Sequence, residues 1–135
     1  MTPLLLDTNV VSYLLKGHPL AAGYRPLLEN RTLLICFMTV GELYEGAHRA
    51  GWGLERMNGL ERTIRSYYMV ESSPRVDRLW ADVRVARRNQ PIDVSDAWIA
   101  ATALAYGCPL VTHNWRDFAG IPRLEVLTID QEQGA

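Results

Sequence analysis

Short apolar runs alternate along the chain with longer stretches of helical period. Leu4-Leu5-Leu6 is the first run and reads as a strand. Thr8 or Asn9 is then placed to cap a helix with apolar positions Val10, Val11, Leu14 and Leu15, ended by Gly17 and Pro19. A second helix carries Leu20, Tyr24, Leu27 and Leu28 on one face, and Leu33 to Phe37 is the second strand. Thr39 caps a third helix in which Val40, Leu43, Tyr44 and Ala47 recur at i, i+3, i+4 and i+7 spacing; Gly51 and Gly53 break it. Leu54 to Arg65 reads as helix and Tyr67 to Val70 as a third strand. Ser73-Pro74 opens the next helix, with Ser at the cap and Pro at the first helical position, and Val76, Leu79, Trp80, Val83 and Ala86 form its stripe. Asp93 or Ser95 starts a helix that runs to Gly107 and is apolar nearly all round, so it is expected to be buried on most sides. Leu110 to Thr112 and Leu124 to Leu127 are the last strands.

Strands alternating with helices predict βαβ units, and continuous apolar strands predict a parallel sheet covered on both faces. The 135 residues fit one compact domain, residues 1–135, with no repeat, linker or low-complexity tract. An apolar content of 48% is enough for a core without disulfides or a structural metal. Cys36 and Cys108 are far apart and each adjoins an apolar stretch, which predicts buried free thiols. No apolar run approaches the ~20 residues of a membrane span. The N-terminus also lacks a basic segment and small-residue cleavage site, so a soluble cytoplasmic protein is expected.

The net charge of −1 does not by itself point to nucleic acid. Of the 14 basic residues, however, only Lys16 is a lysine. Arginine favours bidentate contact with phosphate or carboxylate. The arginines between Arg49 and Arg65 and between Arg75 and Arg88 could track an RNA backbone, or could form ordinary surface ion pairs.

In an open parallel sheet, ligands bind beyond the carboxyl ends of the strands. Acids fall there repeatedly. Asp7 ends the first strand, and Glu42 follows the second in the first turn of the next helix. Asp96 heads the apolar helix, and Asp117 follows the fourth strand after Asn114. Each alone has a plain reading. Asp7 could be a helix cap, Glu42 an acid favoured by the helix dipole, and Asp117 a loop residue. Asp96 is more telling, because a carboxylate heading a helix too apolar to face water needs a partner or an ion. Gathered at one edge, the four would repel one another and need a cation. Oxygen ligands without Cys or His select Mg²⁺ or Mn²⁺, which can activate water against a phosphodiester. Asn9, Thr112 and Asn114 could orient carboxylates or metal waters. His18, His48 and His113 read as surface or structural, while Trp115, in the loop with Asp117, is the one tryptophan placed to stack on a base.

These segments together resemble the PIN-domain family, specifically the VapC-type toxins of toxin–antitoxin pairs. The resemblance rests on Leu5-Leu6-Asp7-Thr8-Asn9, on Thr39-Val40-Gly41-Glu42-Leu43 with Gly46-Ala47, on Asp96-Ala97-Trp98-Ile99-Ala100-Ala101 with Ala103-Leu104, and on Leu110-Val111-Thr112-His113-Asn114 through Asp117-Phe118. They occur in family order and span nearly the whole chain. The resemblance implies a three-layer, Rossmann-like α/β fold with a five-stranded parallel sheet. It implies a Mg²⁺- or Mn²⁺-dependent endoribonuclease in which Asp7, Glu42, Asp96 and Asp117 form the acidic cluster and metal-activated water attacks RNA directly. It further implies a homodimer, or a hetero-oligomer with a cognate VapB-like antitoxin that blocks the site.

Rival readings have specific requirements. A phosphoaspartyl phosphatase would want a second Asp where Asn9 stands, and a receiver domain a Lys after a late strand, whereas the one lysine is Lys16. A housekeeping PIN nuclease without antitoxin, or a non-catalytic RNA- or protein-binding PIN-like module, would share the same residues.

Overall fold

The computed structural model of the chain describes residues 2–129. The expected single domain also takes in residues 1 and 130–135, which lie outside the described residues. The elements run β1 (Leu4–Leu6), α1 (Thr8–Lys16), α2 (Ala21–Leu28), β2 (Leu33–Cys36), α3 (Phe37–Arg49), α4 (Leu54–Arg65), β3 (Tyr68–Val70), α5 (Pro74–Ala86), α6 (Val94–Tyr106), β4 (Leu110–Val111) and β5 (Val126–Leu127). A short 3₁₀ turn, Trp115–Phe118, links β4 to β5.

The strands form one sheet in the order β3-β2-β1-β4-β5, and every pairing is parallel. Side chains alternate across it. Leu5, Leu34, Cys36 and Leu110 point to one face, where α6 lays down Ala97, Ile99, Ala100 and Ala103 and α5 adds Val83. Leu4, Leu6, Ile35 and Val111 point to the other, against Val10 and Val11 of α1, Tyr24 of α2, Leu43 of α3 and Leu60 of α4. Helices therefore cover both faces, as the continuous apolar strands require. Each fully buried Leu, Leu4 to Leu6 among them, contributes about 2 kcal/mol by leaving water. Cys36 and Cys108 are buried free thiols, as expected.

Helix ends depart from the sequence expectations in two places. Asp7, not Thr8 or Asn9, is the N-cap of α1, and its carboxylate accepts the Thr8 amide. α3 begins at Phe37, so Thr39 lies inside the helix and caps nothing. Phe37 was expected to end a strand; instead it opens the helix and packs edge-to-face on Trp98. Because the helix starts three residues early, Glu42 sits in its second turn rather than its first. At the other ends, Gly17 and Gly107 close α1 and α6 with φ of 65° and 59°, left-handed values that suit glycine. Ser73 caps α5 as predicted, its hydroxyl accepting the Val76 amide.

From β1 the chain proceeds to β2 and β3 on one side, and returns to β4 and β5 on the other. The order therefore reverses between β1 and β4. Such a switch point opens a crevice at the carboxyl ends of the two strands.

Candidate active site

Asp7 and Thr112 stand directly beyond the two strands at that switch point. Their backbones are tied by the Asp7 amide donating to Val111 O at 2.9 Å. Asp7 is only 4% exposed, and both its oxygens are engaged. Oδ1 accepts the Thr8 amide at 2.8 Å, and Oδ2 accepts the Thr112 hydroxyl at 2.6 Å. The Asn114 amide in turn donates to Thr112 Oγ1 at 3.0 Å, fixing which way that hydroxyl points.

Glu42 is held from two sides. Thr8 Oγ1 donates to Oε1 at 2.6 Å, and lies 2.9 Å from Thr39 Oγ1, whose proton it can accept. Ser95 Oγ reaches Oε2 at 3.0 Å and Asp93 Oδ2 at 2.9 Å. Thr8 and Ser95, both candidate helix caps by type, thus spend their hydroxyls on carboxylates. Asp93 occupies the N-cap position of α6, but its carboxylate accepts the Ser95 hydroxyl and caps no backbone amide of that helix. A hydroxyl directly following an acid, as in Asp7-Thr8, and one directly preceding an acid, as in Ser95-Asp96, are the signals from which these holders could have been read.

Asp96, in the first turn of α6, and Asp117, in the 3₁₀ turn, complete the group. All four acids line one cleft of roughly 350 Å³ together with Thr8, Asn9, Ser12, Tyr13 and Asn114. No Lys or Arg lines it. Sequence reasoning missed Ser12 and Tyr13, which face the cleft from α1; nothing in their types marks them. A larger groove of about 530 Å³ runs past Lys16, Trp52, Arg56 and Arg62, but it carries no acid, so size does not mark the chemistry.

The electrostatics follow from burial without a counter-charge. Burial pushes the Asp7 carboxyl up to about 6; the Thr112 and Thr8 hydrogen bonds oppose this, and the charges of Glu42 and Asp117 add to it. Asp96 is pushed up to about 7, first by burial and then by the charges of Asp7, Asp93, Asp117 and Glu42. The Asn9 Oδ1 atom is buried and has no hydrogen-bond partner among the described residues. An acceptor left so costs about 1–3 kcal/mol unless a donor arrives.

A divalent ion fits this set of groups. The donors are hard oxygens, their mutual repulsion is uncompensated, and Asn9 Oδ1 is an acceptor suited to a water bound to such an ion. Among the described residues no three acidic, His or Cys side chains already converge into a finished ligand cage.

The neighbours of the cleft sort as follows. His113 is structural: its Nδ1 lies 2.7 Å from Tyr24 Oη, and its ring stands edge-on to both Tyr13 and Tyr24. Trp115 is 38% exposed, with the Arg116 guanidinium 4.9 Å from its ring centroid. The arginines of the two segments are exposed, with the exception of Arg87. Arg49 pairs with Glu45 at 2.9 Å on the surface, whereas Arg87 is buried.

Comparison with known proteins bears on the family and the fold. Residues 4–124 match the PIN domain family model. Ribonuclease VapC1 of Haemophilus influenzae (strain R2866) is 30% identical over 134 residues, spanning 90% of this chain and 93% of the relative. The structure of VapBC-1 from nontypeable Haemophilus influenzae superposes with a TM-score of 0.77 at 28% identity, covering 93% of this chain and 96% of that one. VapBC2 from Rickettsia felis, bound to a DNA fragment from its promoter, gives a TM-score of 0.81 at 24% identity, over 94% and 98% of the two chains. A match across almost the whole described chain, joined to a shared fold, means that the chain belongs to the PIN-domain family, on its VapC branch.

Proposed function

We propose that the chain is a Mg²⁺- or Mn²⁺-dependent endoribonuclease, the toxin of a toxin–antitoxin pair, and that Asp7, Glu42, Asp96 and Asp117 hold its metal. The observation that carries this reading is the cleft of four carboxylates with no basic side chain among its lining residues. The raised proton affinity of buried Asp7 and half-buried Asp96 and the unpaired Asn9 acceptor support a divalent ion as their partner. When bound, the ion supplies a water of lowered pKa and neutralises charge on a phosphate oxygen.

The chain's own residues do the rest. Asp7, fixed by Thr112 and Thr8, and Glu42, fixed by Thr8 and Ser95, present oxygens in set directions. Preorganised ligands of this kind need no reordering when substrate arrives. Asp96 must lose its proton to bind a cation, which the cation itself promotes. Trp115, exposed beside Asp117, offers a face on which an RNA base can stack.

The antitoxin reading rests on the relatives whose structures are VapBC complexes, which also support an oligomer. Residues 1–135 are taken as one domain acting in the cytoplasm. In the described residues no helix is long and apolar enough to cross a membrane.

The test is cleavage of single-stranded and structured RNA by the purified chain with Mg²⁺, Mn²⁺ or EDTA. Metal-dependent cuts leaving 5′-phosphate ends, abolished by Asp7→Asn and Asp96→Asn, are expected. Cleavage that survives EDTA, or that both variants retain, would overturn the assignment. An adjacent gene for a small DNA-binding protein that suppresses growth arrest by this chain separates a toxin from a housekeeping nuclease.

A further inference from the structure

We infer that Arg87, far outside the acidic motifs, is the positioning residue for Asp117. This rests on the reading of Asp117 as a member of the metal site.

Arg87 is only 8% exposed, and among the described residues no carboxylate pairs with it. A buried guanidinium without a counter-ion is costly unless its donors are satisfied. Here backbone carbonyls take three of its five N–H groups. Nε donates to Gln90 O at 2.8 Å, and Nη1 donates to Asp117 O at 3.0 Å and to Ala119 O at 2.8 Å. The first bond ties the side chain to the turn after α5, and the other two span the end of the 3₁₀ turn. Between the two bonded carbonyls Phe118 is sunk in the core at 2% exposure. Gly120, at φ 80°, lets the chain leave the turn against the arginine stem; a Cβ there would lie 3.8 Å from Arg87 Cδ.

The contrast with the other acids gives this clamp its meaning. Asp7 and Glu42 are oriented through their carboxylates by named hydroxyls and an amide. Among the described residues no hydrogen bond reaches the Asp117 carboxylate, and the residue is exposed. Its place is therefore set through its backbone, by Asn114 O accepting its amide at 2.9 Å on one side and by the Arg87 fork on the other. The role is one of shape. Arg87 is absent from the charges that move Asp7 and Asp96. Nη1 holds both turn carbonyls while Nε holds Gln90 O, and that simultaneous reach is what the planar guanidinium offers and a point-like ammonium does not.

The test compares wild type, Arg87→Gln and Arg87→Lys, each also in an Asp117→Asn background, by Mn²⁺ titration and by amide hydrogen exchange. Lys keeps the charge and serves if Gln impairs folding. Both substitutions are expected to weaken Mn²⁺ about tenfold, the usual scale for a residue that orients a ligand. They should add nothing once Asp117 is Asn, and should speed exchange in residues 114–120 while β1 and α6 stay protected. An equal loss of affinity in the Asp117→Asn background, full rescue by Lys, or exchange raised uniformly would each overturn the inference. Were wild type to bind no Mn²⁺ at all, the metal reading would fail, and the exchange result would still decide whether Arg87 holds the turn.

Discussion

Thr112 Oγ1 donates to Asp7 Oδ2 at 2.6 Å, joining the ends of neighbouring parallel strands from residues 105 positions apart. The bond lies across the point where the strand order reverses, so fold and candidate chemistry meet in one contact. It also favours the charged form of a carboxylate that burial pushes the other way.

Thr112→Val keeps the shape and removes that bond, together with the pH-independent bond that the Asn114 amide makes to the same oxygen. Hydrogen bonds to charged groups contribute about 1.5–3 kcal/mol. The variant is expected to lose about that much stability near pH 8, where Asp7 is ionised, and clearly less near pH 5, where it is protonated in the folded protein. Urea unfolding at the two pH values checks this; equal losses at both would contradict the assigned direction of the bond.

In metal-free protein, Asp7 and Asp96 hold their protons to about pH 6 and 7, above the carboxylates of the unfolded chain. Between about pH 4 and pH 7 the folded state thus binds more protons, and the contribution of these groups to stability falls as pH rises. For Asp7, buried and moved from 3.8 to about 6, the deficit at neutral pH is about 3 kcal/mol. Asp7→Asn is therefore expected to be more stable than wild type in EDTA near pH 7.5, by about 1–3 kcal/mol, with the advantage vanishing near pH 4.5. A variant less stable than wild type at pH 7.5 contradicts it.

The same protons compete with metal. Mn²⁺ affinity is expected to fall steeply from pH 8 to pH 6, with proton release on binding near pH 7. Calorimetry in two buffers of different ionisation enthalpy measures both. A flat affinity over that range is incompatible with Asp7 and Asp96 as ligands.

Glu42 depends on its holders. Ser95→Ala, at a half-buried position, should change stability by under about 0.5 kcal/mol yet lower the cleavage rate about tenfold. Thr8→Val should lower the rate at least as much and also cost stability, because it leaves the buried Thr39 hydroxyl without its partner. Single-turnover cleavage beside thermal melts separates these effects; wild-type rates in both variants would remove Glu42 from the machinery.

Much of this was legible in the sequence. Unbroken apolar strands imply a sheet covered on both sides, and Asp7, Glu42 and Asp117 follow strands while Asp96 heads the apolar helix that leads into β4, so their meeting in one cleft could be anticipated. The partners of those acids were less visible. Thr8, Thr39, Asp93 and Ser95 have the composition of helix caps, and local preference cannot tell whether a hydroxyl will bond its own backbone or a carboxylate 34 residues away, as Thr8 bonds Glu42. Arg87 looked like one more surface cation in an arginine-rich stretch. Its burial depends on where the 3₁₀ turn packs, a long-range fact that spacing does not encode.

The central claim is that one cleft gathers these acids around a divalent ion. A crystal of the chain grown with millimolar Mn²⁺, with data collected for anomalous scattering, tests it most directly. The account predicts a peak in the cleft bound by carboxylate oxygens of Asp7 and Asp96, at about 2.0–2.3 Å, with Glu42 or Asp117 reached directly or through water. A peak elsewhere, or an empty cleft at saturating Mn²⁺ near pH 8, would contradict it.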